Sequence, residues 1–281
     1  GKAEALRNPA FSSQLLGLIT EGFGFANKAI SLFEELGDKK NLAHVYHTLG
    51  FILDQLDKQN ERLEINYKCL TLSRELKEED WIIRTLNNTG DCHTKLKDYN
   101  KAIQCFTECL KLLNHEDTFM YSVVTCNLGE VYYDDDQIEE ALKYFELSKN
   151  NAILNNSKGI EITNILFISR CMSKQEKSLE ALITLKEAIT QIEEIHQAEE
   201  QIDFAENSSL SSPSLLQVSM DIEAEVFKSY GELCESNGDL KNAIIALKRN
   251  KTIEEQLNKQ KYTKEYQNFE LRMEISHLEN L

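Results

Sequence analysis

The chain has 281 residues, 41% apolar and 28% charged, with a formal net charge of −16. Two prolines and eleven glycines are too few for a β-sandwich or barrel, which needs a turn signal about every 8–12 residues. No apolar run approaches the roughly 18 residues of a membrane span, and a field this negative repels phosphate backbones and anionic lipid. The expectation is a helical protein with no nucleic-acid and no membrane partner.

The first thirty residues lack a basic region followed by an apolar stretch and a small-residue cleavage site. The seven cysteines are odd in number and show no paired spacing, which fits reduced thiols in a cytoplasmic setting. Cys105 and Cys109 share a helix face and read as small buried hydrophobes. The chain opens at Gly1 without a methionine, and on that ground it is expected to be a piece of a longer protein.

Residues 5–36 read as a degenerate helix pair with Ala26 and Ala29 on its second helix. From there the chain repeats. Tyr46–Leu53, Leu86–His93, Thr125–Tyr132 and Ile165–Met172 align without gaps, and their small residues Gly50, Gly90, Gly129 and Ser169 lie 40, 39 and 40 apart. Twelve residues after the last three come Ala102, Ala141 and Ala181. Arg62 takes that place in the first of the four. Bulky Phe106, Phe145 or Leu185 follows, and then a small residue: Cys69, Cys109, Ser148 and Ala188. A further unit carries Gly231, Ala243 and Leu247. The logic is two helices per unit, called A and B, which approach closely where glycine faces alanine, with the bulky residue filling the groove. Turns such as Lys97-Asp98 and Gly238-Asp239 reverse the chain.

This pattern resembles the tetratricopeptide repeat (TPR), most closely at Leu128-Gly129, Tyr132, Ala141 and Phe145. The resemblance implies an all-α, right-handed α-solenoid of about six TPR-like helix pairs with a C-terminal capping and connector helix. The repeats are expected at 5–39, 40–80, 81–119, 120–159, 160–205 and 215–258, within a solenoid of residues 1–258. The period exceeds the usual 34 of this family, so either helices or joints must be longer. Phe33–Asp38 is read as one extended joint, of a kind seen in bacterial signalling proteins with such repeats.

Between Ser169 and Gly231 the spacing is 62 residues, and the excess falls at 192–214. Its first part is acidic and its end, Ser208–Ser214, is serine-rich. It reads as a prolonged helix B followed by a loop. In the tail, 259–281, Tyr262, Tyr266 and Phe269 form one helix face suited to capping. Leu271, Ile275 and Leu278 form another, expected to pair weakly with a second copy as a coiled-coil connector.

By the resemblance, helix A of each repeat lines the concave surface. That places His44, His47, Arg84, Asn87, Asp91, Asn127, Glu130, Tyr133, Arg170, Lys228 and Glu232 there. The peptide-binding residues are expected to be His47, Arg84, Asn87, Asp91, Asn127, Glu130, Tyr133 and Arg170. Carboxamides such as Asn87 and Asn127 both donate to and accept from a peptide backbone. Asp91 and Glu130 would favour a protein or peptide with some positive charge. The Lys and Asn pattern with which co-chaperone repeats hold an acidic tail is absent.

No phosphate loop, His-Glu-x-x-His, Gly-x-Ser-x-Gly or Cys-x-x-Cys appears. His44 and His47 lack a nearby third metal ligand. No catalytic residue, metal or cofactor is expected, and binding is the function the resemblance implies. The expected role is the sensory or scaffolding region of a larger bacterial signalling protein, with a kinase or nucleotide cyclase output beyond Leu281. The alternative is a stand-alone adaptor or a peptide-pheromone receptor.

Overall fold

The computed structural model describes residues 19–113, 118–204 and 218–279. They contain helices and no strand. The helices are α1 (Ile19–Leu36), α2 (Lys39–Gln55), α3 (Gln59–Leu76), α4 (Glu79–Lys95), α5 (Tyr99–Leu112), α6 (Thr118–Asp134), α7 (Ile138–Leu154), α8 (Lys158–Lys174), α9 (Ser178–Phe204), α10 (Met220–Ser236) and α11 (Leu240–Glu279). The chain divides into two compact units, Gly1–Asn114 with Thr263–Leu281, and His115–Tyr262. In the first unit α1 to α5 pack each on the next, and in the second α6 to α10 do the same. The fold is all-α and of the TPR-like class.

The long period resides in the helices. Most A and B helices have 17 or 18 residues, and eight of the joints between helices are two or three residues. Phe33–Leu36 therefore belongs to α1, and the joint expected over Phe33–Asp38 shrinks to Gly37-Asp38. Eight of the joints are made the same way. One residue past the helix turns left-handed, at Gly37, Asp57, Lys77, Lys97, Asp136, Asn156, Glu176 and Gly238. Two backbone bonds close the turn, as in Lys97 N–H to the Thr94 carbonyl and Asp98 N–H to His93. This is the Schellman arrangement, and six of its eight positions carry a side chain that resists positive φ.

The glycines face the bulky residue of their own pair. A methyl on Gly90 would meet the Phe106 ring at 2.7 Å, one on Gly129 the Phe145 ring at 2.6 Å, and one on Gly231 Leu247 at 2.7 Å. Phe145 also stacks on Phe167 of the next A helix, centroids 4.9 Å apart. Where serine replaces glycine, the Ser169 hydroxyl donates to the Ala181 carbonyl at 3.0 Å.

The second small position is more than a gap. Cys69 donates to the Ala43 carbonyl (3.4 Å), Cys109 to Ile83 (3.3 Å), Ser148 to Ser122 (2.7 Å) and Asn250 to Ala224 (2.9 Å), each 26 residues back. The same stitch thus closes four pairs. Burial raises the thiol of Cys69 and of Cys109 above the ordinary range, which keeps both protonated and able to donate.

Helix α9 runs for 27 residues, and residues 205–217, with the serine-rich stretch, lie outside the described residues. Helix α11 continues unbroken from the last B helix into the tail for 40 residues. Tyr262 and Tyr266 on it are 71% and 63% exposed, so these two are not packed in the way a capping face requires. The side chains of Leu271, Ile275 and Leu278 lie outside the described residues.

Candidate functional site

In the first unit the expected groove residues occupy two A helices, and they divide into two clusters. At one, Arg62 stands where the pattern wants alanine. It is only 3% exposed, and its guanidinium donates to Asp54 at 2.8 Å and Asp91 at 2.7 Å. Lys95 adds contacts to Asp54 at 2.7 Å and Asp91 at 3.4 Å. Burial pushes the Asp54 carboxyl up, but hydrogen bonds from Lys95 and Gln59 and the charge of Arg62 hold it below the usual range. A buried cation of this kind is tolerated only when paired. Asp91, expected to attract a basic ligand, has its charge already met.

At the other cluster His44 and His47 pack on Trp81, ring centroids 4.3 and 4.9 Å apart, and Phe51 meets His47 edge-on at 4.9 Å. Burial, with the charges of Arg84 and His44, lowers His47 to about 4, so its imidazole is neutral at pH 7. Arg84 is exposed and Asn87 half-buried on α4.

In the second unit a cleft of about 530 Å³ is lined by α6, α8 and α10, all A helices. Tyr133 comes from α6, and Ser169, Arg170, Ser173 and Lys174 from α8. Glu225, Lys228, Ser229, Glu232, Leu233 and Ser236 come from α10. Of the residues expected in the groove, Tyr133, Arg170, Lys228 and Glu232 therefore meet. Asn127 and Glu130 sit half-buried on α6 but do not line the cleft.

Its cations are largely compensated. Arg170 is paired with Glu225 and stacks over Phe167 at 5.5 Å. Lys174 lies 4.2 Å above the Tyr133 ring and reaches Asp136 at 2.9 Å. Lys228 approaches Glu225 at 3.9 Å. Glu232 lines the cleft with no ion-pair partner among the described residues. The sequence reading missed Lys174, Glu225 and the four serines. All but Ser169, which directly precedes Arg170, lie three or four residues from Arg170, Lys228 or Glu232, on the same helix faces, so extending each face by one turn finds most of them.

Among the described residues no group of three or more His, Cys, Asp or Glu is placed to hold a metal. None of their helices is long and apolar enough to cross a membrane. All seven cysteines are free.

The comparisons agree with this architecture. Residues 83–114, which cover most of α4 and all of α5, match the tetratricopeptide repeat family model. No curated protein matches the sequence. Solved structures with a similar fold include the apo form of RapI, at 17% identity and TM-score 0.67 over 92% of this chain and 85% of that one. A signal transduction ATPase with numerous domains, bearing a tetratricopeptide repeat sensor, from Pyrococcus horikoshii aligns at 16% identity and TM-score 0.68. It covers 94% of this chain and 38% of its own. A Rap protein complexed with competence and sporulation factor aligns at 12% identity and TM-score 0.57, over 89% of this chain and 74% of that one. At these identities the likeness is one of fold: a TPR-like fold of the kind used for protein interaction.

Proposed function

We propose that this chain is a non-enzymatic peptide-binding module whose ligand lies along the A-helix cleft of the second unit. The observation that carries this reading is that every residue lining that cleft comes from α6, α8 or α10. Arg170 and Lys174 are held by Glu225 and Asp136 and Lys228 leans on the same Glu225 at 3.9 Å, so Glu232 is the cleft carboxylate left to meet a cation on the ligand. A segment with a basic side chain or an amino-terminal ammonium fits there, in line with the net charge of −16. Ser229 and the neighbouring hydroxyls can bond an extended backbone. Of the residues expected from the sequence, Tyr133 and Arg170 are proposed contacts in this cleft. Asn127 and Glu130 on α6, and His47, Arg84, Asn87 and Asp91 in the first unit, are proposed peptide contacts outside it. A peptide array probed with the chain and with Glu232→Gln tests it. Retention of basic peptides should fall with the variant, and equal retention by both would move the site elsewhere.

The wider role we propose is the sensory or scaffolding region of a cytoplasmic bacterial signalling protein, with a kinase or cyclase output beyond Leu281. The P. horikoshii protein supports it, since its name includes a tetratricopeptide repeat sensor and this chain matches 38% of its length. The alternative, a stand-alone peptide receptor or adaptor, draws on the Rap protein complexed with competence and sporulation factor. The complete gene separates them: an output domain downstream supports the first reading, and a stop codon just past Leu281 the second. Weak pairing of two copies through Leu271, Ile275 and Leu278 belongs to the first reading. Sedimentation equilibrium checks it, and Ile275→Asp should abolish any dimer found.

A further inference from the structure

Five arginines have described side chains within the helices: Arg62, Arg74, Arg84, Arg170 and Arg249. Four are paired, Arg62 with Asp54 and Asp91, Arg74 with Glu108, Arg170 with Glu225 and Arg249 with Glu223. Arg84 alone has no carboxylate partner among the described residues. It stands one helical turn along α4 from Trp81, so the two share a face. The imidazoles of His44 and His47 rest on that tryptophan. Three groups able to carry positive charge thus converge on a half-buried aromatic surface, in a protein whose net charge is −16.

We infer that His44, His47, Trp81 and Arg84 form a second binding site in the first unit, which takes a carboxylate from an acidic peptide segment. Guanidinium binds carboxylate through parallel hydrogen bonds, and the exposed edge of Phe51 with Trp81 offers apolar contact for an adjoining aliphatic side chain. A peptide is the ligand class because the surface joins charge and apolar area, where a small anion would use the charge alone. The inference builds on the peptide-binding reading but not on the cleft of the second unit.

Proton uptake follows from the same geometry. The charges acting on His47 are Arg84, from α4, and His44, from its own helix. Burial and these two cations lower His47 to about 4 in the free protein. A carboxylate placed among them offsets the repulsion and raises the imidazole. Binding therefore takes up a proton, and affinity rises as pH falls toward the range in which the peptide's own carboxylates still ionise.

Trp81 is the chain's single tryptophan, so its fluorescence reports the site directly. The probe is the capped peptide acetyl-Leu-Glu-Glu-Leu-Glu-Glu-amide, with the glutamine version as control and sodium acetate as competitor. The glutamate peptide should give a saturable Trp81 change, tighten severalfold between about pH 7 and about pH 5.5, and weaken about fivefold with Arg84→Gln. Equal binding of the glutamine peptide to the unaltered protein would overturn the inference, as would a flat pH profile or no saturable change at millimolar peptide. Displacement by equimolar acetate would reduce the site to a small-anion site and overturn the peptide assignment. Because the readout is Trp81 and the peptide is acidic, failure here leaves the Glu232 test unaffected.

Discussion

A single methyl group should have opposite effects at two helical glycines of this chain. Gly129 lies within α6 and Gly24 within α1. A glycine-to-alanine change in a helix interior ordinarily stabilises by roughly 0.5–1 kcal/mol, through lost freedom of the unfolded chain. At Gly24 nothing lies within 4 Å of the added carbon, so Gly24→Ala should show that gain. At Gly129 the carbon would meet two atoms of the Phe145 ring at 2.6 Å. That ring cannot retreat, because it is fully buried and stacked on Phe167. Overpacking costs about 1–3 kcal/mol, which outweighs the helix-propensity gain and leaves Gly129→Ala destabilised by about 1–2 kcal/mol. Thermal melts followed by circular dichroism should move in opposite directions, by roughly 2–4 °C per kcal/mol. Adding Phe145→Leu to Gly129→Ala should recover part of the loss, since the two sites share one contact. If Gly129→Ala melts above the parent, the A and B helices are not held together by glycine facing an aromatic ring, and the packing account is wrong.

The hydrogen-bond stitch predicts that Ser148→Ala costs about 1–3 kcal/mol by leaving buried partners unmet, read by urea titration. At the joints, Lys77→Gly should stabilise by about 0.5–1 kcal/mol because Lys77 holds positive φ, and Gly238→Ala should destabilise, both measured by thermal melts. Asp54→Asn should cost about 1.5–3 kcal/mol through its lost bonds to Arg62 and Lys95. The folded Asp54 carboxyl is held below its ordinary value, so its contribution is present above the unfolded carboxylate range. It is lost as pH falls through the folded value, so the gap between parent and variant in urea stability should close on acidification.

The repeat was legible because its signal is one of volume. Gly50, Gly90 and Gly129, with Ala102 and Ala141, mark where two helices touch, and missing bulk shows in a sequence. The stitch was not legible. In the sequence Cys69, Cys109 and Ser148 show only as small residues, and nothing marks Asn250. Their common property, a donor facing a carbonyl 26 residues back, exists only once A and B are paired. Helix lengths were obscured because most joints carry no glycine: Asp57, Lys97, Asp136 and Glu176 adopt the left-handed turn without announcing it. Arg62 stood out as an exception, but its reason needed Asp54 and Asp91, which lie 8 and 29 residues away. The second-unit cleft was half visible, through Tyr133, Arg170, Lys228 and Glu232. The ion pairs that decide which charge is available to a ligand, Arg170 with Glu225 and Lys174 with Asp136, join residues that sequence order keeps apart.

Hydrogen exchange measured by mass spectrometry tests the central claim most directly, using the chain alone and then saturated with a basic peptide recovered from the array. The account predicts new protection in the cleft-facing turns of α6, α8 and α10, around Tyr133, Arg170–Lys174 and Glu225–Glu232, with α7 and α9 unchanged. Protection confined to the B helices, or to the tail of α11, would contradict it.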